Sequence, residues 1–132
     1  RSPNSVRPWQ HVIDALIGYL ILGEKLSLNP NKFSQEYNFG PYTNNTYTVK
    51  NILDKFVNLW GDGDYIIEDK LDKMHETNKL ILDISKSTND LDWKPLITTD
   101  KAIELTADWY KKAYKDQTII EKITENQIMT YL

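Results

Sequence analysis

Arg7-Pro8-Trp9-Gln10-His11-Val12 is followed at once by Ile13-Asp14-Ala15-Leu16-Ile17-Gly18-Tyr19-Leu20-Ile21-Leu22. The second run predicts a helix over 11–26. Apolar residues occupy most of its circumference, and only a narrow stripe through Asp14, Gly18 and Lys25 is polar or small. A helix that is apolar nearly all round needs cover on more than one side. In a chain of 132 residues, that leads us to expect a missing partner. The first run packs a guanidinium, a rigid proline, an indole, an amide and an imidazole into five positions ahead of that helix. A phosphorylated, ring-shaped ligand calls for such a mixture. Arginine offers a planar fork to phosphate oxygens, an aromatic face covers a ring, and amide and imidazole select hydroxyls. Equally, Trp9 could staple the helix start and Arg7 could be an ordinary surface residue.

Arg7 stands out further because the chain uses lysine wherever a surface cation will do. Of its 16 basic residues, Arg1 and Arg7 are the arginines. The net charge of −3 argues against nucleic-acid binding, which wants a basic face. No cysteine is present, so disulfides and thiolate metal sites are excluded. The apolar stretch 12–22 is too short to span a bilayer, and no basic start precedes a signal-like segment. We therefore expect a cytoplasmic protein and read the sequon Asn44-Asn45-Thr46 as fortuitous. The chain starts at Arg1 in a motif-rich segment, which gives the expectation of a piece of a longer protein.

Further along, Pro30 and its polar neighbours mark 27–36 as a loop. Tyr37-Asn38-Phe39 before Gly40-Pro41 reads as a short strand. Thr48 is placed to cap a one-faced helix over 49–60, with Gly61 as its left-handed stop. Tyr65–Ile67 and 79–84 read as two more short strands. Ser85 could cap a helix through Leu91, which Trp93-Lys94-Pro95 closes. Thr99 is set to cap a helix over 100–115 whose buried face carries Ala102, Leu105, Thr106, Trp109, Tyr110 and Ala113. Thr118 and Glu121 have capping-box spacing for a last helix over 119–131. The predicted fold is α-rich, with strands too few and too scattered for a sheet of their own.

These residues contain no self-contained catalytic site. No glycine-rich loop joins a strand to a helix, and no tyrosine has a lysine four residues later. His11 and His75 lack metal-ligand spacing. The acidic cluster Asp62, Asp64, Glu68 and Asp69 departs from the calcium-loop pattern at Ile66 and reads as a solvated turn. Lys73-Met74-His75-Glu76 offers a carboxylate suited to ribose hydroxyls, against the plainer reading of an exposed loop.

Taken in order, these segments resemble the C-terminal part of the extended short-chain dehydrogenase/reductase family. The resemblance rests on Arg7 to Val12, Gly18-Tyr19-Leu20, Asn38-Phe39-Gly40-Pro41, Trp60-Gly61-Asp62-Gly63, His75-Glu76, Asp83-Ile84-Ser85-Lys86, Leu91-Asp92-Trp93-Lys94-Pro95 and Thr106 to Tyr110. Pro8, where most relatives carry Asp, and Trp9-Gln10-His11 point to the branch that acts on CDP-glucose. The resemblance implies an α/β family fragment, mostly helical with a few short strands. Residues 1–132 would be the substrate-binding lobe of an extended SDR enzyme without its Rossmann domain. It implies a parent lyase that uses NAD, held by the absent N-terminal half, to turn a nucleotide-activated hexose into its 4-keto-6-deoxy form. This lobe alone would be inactive. Arg7 would hold the diphosphate and Glu76 the ribose, with Trp9, Gln10, His11 and His75 as further pocket members. Relatives often place Arg where this chain has Lys73. No catalytic, cofactor or metal residue is carried over. The full-length enzyme would be a homodimer, with neither nucleic acid nor membrane as partner. Other readings are a branch using a dTDP-, GDP- or UDP-sugar, or a non-enzymatic helical binding module.

Overall fold

Thr48 and Gly61 bracket a helix capped at both ends. Thr48 accepts from the Asn51 amide, while the Asn51 side chain accepts from the Thr48 amide. This reciprocal cap satisfies two donors that a helix start leaves unpaired. At the other end Gly61 adopts φ 83°, which a side chain would strain. In the computed structural model, which describes residues 2–44, 46–67 and 77–131, the described helices are six. They are α1 (Val12–Leu28), α2 (Pro30–Phe33), α3 (Val49–Trp60), α4 (Ser85–Leu91), α5 (Thr99–Lys115) and α6 (Ile120–Met129), with a 3₁₀ turn at Gln117–Ile119 before α6.

The helices form two packed groups. In one, α1, α2 and α4 enclose Phe33, Ile84, Leu91 and Trp93, with Ile17, Ile21 and Phe39 packed against them. In the other, α5 lies between α3 and α6 and buries Ala102, Ile103 and Ala107. The small alanines let the neighbouring helices come close. Tyr47, Asp100 and Lys55 lace this group at its edge: the Tyr47 hydroxyl donates to Asp100 at 2.7 Å, and Lys55 meets the same carboxylate at 2.7 Å.

Asp14 joins the two groups. Its carboxylate accepts from the amides of Leu96 at 3.0 Å and Ile97 at 3.1 Å, and its carbonyl accepts from the Trp93 indole at 3.0 Å. The polar stripe of α1 is therefore its inward face. Asp14 and Gly18 are the buried residues of this helix, whereas Val12, Leu16, Tyr19 and Leu20 are exposed.

The three predicted strands are not formed among the described residues. Residues 37–39, 65–67 and 80–84 are extended or irregular. What remains of sheet pairing is two isolated bridges, Val6 with Thr48 and Val6 with Lys79. The reason is that side chains take the place of ladder bonds. Asn38 and the 83–87 segment lie side by side, but the Asn38 side chain donates to the Asp83 carbonyl at 3.1 Å and the Ser87 hydroxyl donates to the Asn38 carbonyl. Tyr65 folds back so that its hydroxyl donates to Asp54 of α3.

Several caps also sit elsewhere than expected. The loop over 27–36 contains α2, because Asn29 accepts from the Lys32 amide and Pro30 suits a first helical position. Asp83, not Ser85, covers the start of α4, and Asp92 at φ 56° stops it. Thr98 rather than Thr99 caps α5. Asp116 accepts from both the amide and the hydroxyl of Thr118, so no Thr118–Glu121 capping box opens α6. The buried face of α5 is turned toward Ile103 and Ala107, which leaves Tyr110 exposed.

Candidate functional site

The segment before α1 threads between two others. Val49 donates to the Ser5 carbonyl at 3.0 Å, Val6 donates to the Asn78 carbonyl at 2.8 Å, and Leu80 donates to the Val6 carbonyl at 3.1 Å. This crossing sets Arg7 beside the 77–80 segment. Its Nη1 donates to the Thr77 carbonyl at 3.0 Å and to the Val6 carbonyl at 2.8 Å. Thr77 directly follows His75-Glu76 in the chain. The fold thus brings Arg7 to Thr77, the residue next in sequence to the second candidate cluster. Lys73, His75 and Glu76 themselves lie outside the described residues.

Trp9 and Gln10 face another direction. The Trp9 indole donates to the Tyr47 carbonyl at 3.1 Å, and its own carbonyl accepts from the Thr99 hydroxyl at 3.3 Å. Together with Gln10, Phe56, Ala102, Ile103 and Thr106 it lines a chamber of about 180 Å³ between α3 and α5. The Gln10 Nε2 is enclosed without a hydrogen-bond partner. A buried unpaired amide is costly, of order 1–3 kcal/mol, so it marks this chamber as unusual.

His11 is buried and works as the cap of α1, its Nδ1 accepting from the Ile13 amide at 3.3 Å. Since Nδ1 accepts, the neutral ring carries its proton on Nε2. Burial pushes its pKa below the usual histidine value, and the nearby Asp14 charge partly opposes this. The ring lies parallel to Tyr131 at 6.3 Å. Burial and the Asp14 charge push the Tyr131 hydroxyl up to about 12. Desolvation also raises the Asp14 carboxyl, against the Leu96 and Ile97 amides that hold its anion.

The four residues of the opening motif therefore do not converge on one cavity. Arg7 joins the 77–80 segment, Trp9 and Gln10 join α3 and α5, and His11 anchors α1 beside an apolar groove of about 350 Å³ between α1, α5 and α6. The residue that sequence reasoning passed over is Asp14, grouped there with the polar stripe. A lone acid inside the apolar run 12–22 is a signal of a buried, bonded carboxylate.

The described residues do not fit a dinucleotide site. Gly61-Asp62-Gly63 follows a helix rather than opening one after a strand, so no glycine turn presents amides to a pyrophosphate. No group of three or more His, Cys, Asp or Glu among the described residues could hold a metal ion. No helix among them is long and apolar enough to cross a membrane.

No protein-family model matches the chain. Over 111 residues, 84% of the chain, it is 39% identical to the CDP-glucose 4,6-dehydratase of Salmonella typhimurium strain LT2. The matched span covers 31% of that relative, so the chain spans about a third of the enzyme's length. Over the matched span, the chain is homologous to part of that CDP-glucose 4,6-dehydratase.

Proposed function

We propose that the chain is the nucleotide-sugar-binding lobe of an NAD-dependent 4,6-dehydratase acting on CDP-glucose, with the dinucleotide held by the rest of the parent enzyme. The observation that carries this reading is the 39% identity across 84% of the chain to an enzyme of that name. The position of Arg7 supports it. The guanidinium is the arginine fork of the opening motif and sits at the edge of the segment that follows His75-Glu76. In this reading Arg7 meets the diphosphate and Glu76 the ribose with His75 beside it, while Trp9 and Gln10, turned toward the chamber between α3 and α5, and His11 fix the segment that presents Arg7. Gln10 brings an unpaired donor, and His11 acts through the position of the α1 start. The parent works as a homodimer in the cytoplasm.

The full-length parent, incubated with NAD and separately with CDP-, dTDP-, UDP- and GDP-glucose, is expected to form a 4-keto-6-deoxy sugar from CDP-glucose alone. Turnover of a different nucleotide sugar would keep the family and overturn the role given to Pro8-Trp9-Gln10-His11. No turnover of any would favour a helical binding module. In the same enzyme Arg7→Lys should weaken substrate binding by roughly 1–3 kcal/mol, the cost of losing a charge-assisted fork. An unchanged KM would remove Arg7 from the site.

A further inference from the structure

We propose that the groove between the C-terminal end of α3 and the middle of α5 docks an arginine side chain of a partner polypeptide. The groove is open, holds about 380 Å³, and is lined by Phe56, Val57, Trp60, Tyr110, Asp62 and Asp64. Its walls are chiefly apolar and aromatic, and the Phe56 and Trp60 rings stack at 5.9 Å with 17° between their planes. Two carboxylates stand at its rim. Asp62 accepts from the Gly63 amide at 2.8 Å and Asp64 from the Tyr65 amide at 2.7 Å, each through one oxygen. Gly61 at φ 83° and Gly63 at φ 97° set this turn, a backbone that other residues would strain.

Among the described residues neither carboxylate has a cation within ion-pair distance. Lys111 extends to the same helix end, but its ammonium donates to the Leu59 carbonyl at 3.4 Å. Aromatic rings beside two carboxylates, each with one oxygen outside these turn bonds, complement a cation that is flat and weakly hydrated. A guanidinium meets both demands, since its face stacks on an indole while its fork reaches carboxylate oxygens. An ammonium is a compact, strongly hydrated point charge and suits the aromatic wall less well. None of the groove residues is a proposed nucleotide-sugar contact, so this site and that reading stand or fall separately.

The test uses the intact protein with its tryptophan indoles labelled with nitrogen-15, and the Trp60 signal assigned by its loss in Trp60→Phe. The probe is the capped tripeptide Gly-Arg-Gly, compared with its neutral citrulline counterpart. The arginine peptide is expected to move the Trp60 N–H signal saturably, with affinity falling as salt rises, and the citrulline peptide to leave it in place. Asp62→Asn with Asp64→Asn keeps an oxygen for the Gly63 and Tyr65 amides, so the turn survives. This double variant should bind the arginine peptide about tenfold more weakly or worse. No movement with the arginine peptide, equal movement with citrulline, or unchanged affinity in the double variant would each overturn the proposal. A lysine tripeptide bound as tightly would overturn the choice of guanidinium. Free arginine bound more tightly than the tripeptide would make the occupant a small molecule and overturn the polypeptide source.

Discussion

His11 and Asp14 show how burial sets opposite terms on neighbouring groups. The His11 value lies below the ordinary 6.5 because burial disfavours the imidazolium. The fold therefore prefers the neutral ring. The stability it contributes is complete above the unfolded value and is lost as pH falls toward and through the lower folded value. Asp14 runs the other way. Its raised value makes the carboxylate the disfavoured form in the fold, so its contribution declines as pH rises through the window above 3.8 and recovers on acidification. Below the ordinary 6.5 the unfolded histidine takes up a proton that the buried ring of the fold resists. The Tm should fall as pH drops from about 7 to about 5. His11→Asn, which keeps a side-chain acceptor for the α1 start, should flatten that slope. Thermal unfolding at both pH values checks this, and an unaltered slope in the variant would assign the loss to other groups.

At the scale of elements, α1 turns on Gly18. A Cβ there would meet the Phe39 ring, with Cε1 at 2.5 Å and Cγ at 2.9 Å. That ring is held edge-on by Trp93 at 5.0 Å and by Tyr19 at 5.3 Å, so it has little room to give. Gly18→Ala should destabilise by about 1–3 kcal/mol, overpacking outweighing the helix preference of alanine. Gly23 on the same helix has nothing within 4 Å of such a Cβ, and Gly23→Ala should stabilise by up to about 1 kcal/mol. Denaturant unfolding of the two variants should move in opposite directions, and equal shifts would contradict the packing of Phe39 on Gly18. Elements with local rules were legible in the sequence. The bounds of α3 follow from Thr48, Gly61 and a one-faced apolar spacing. The would-be strands were not legible, because an extended run becomes a strand only if a neighbour supplies the ladder. Here Asn38 and Ser87 supply side-chain bonds in its place. The motif around Arg7 was legible as a set of chemical types. Its division among three neighbourhoods was not, since that depends on Val6 crossing between Thr48 and Lys79.

At the scale of the whole molecule, the outward face of α1 is the anomaly. Val12, Leu16, Tyr19 and Leu20 are between half and three-quarters exposed, and the apolar groove of α1, α5 and α6 continues beside them. Contiguous apolar surface of this kind marks a contact surface. The chain as given should bind a hydrophobic dye strongly. Leu16→Glu with Leu20→Glu should reduce that signal without lowering the Tm, because neither side chain is buried. A chain that binds no dye would argue for a self-contained module. The bonds at Asp14 carry a consequence of another kind. Its carboxylate reaches partners 82 and 83 positions away, and its carbonyl one 79 positions away. Closing so long a loop costs chain entropy before any contact repays it. Helices α3 and α5 can wind on their own sequence within microseconds, but α1 cannot settle until the 93–97 segment arrives. The slow step of folding in this largely helical chain should be that encounter, and its speed should follow the ease of bringing distant segments together rather than any helix's own tendency to form.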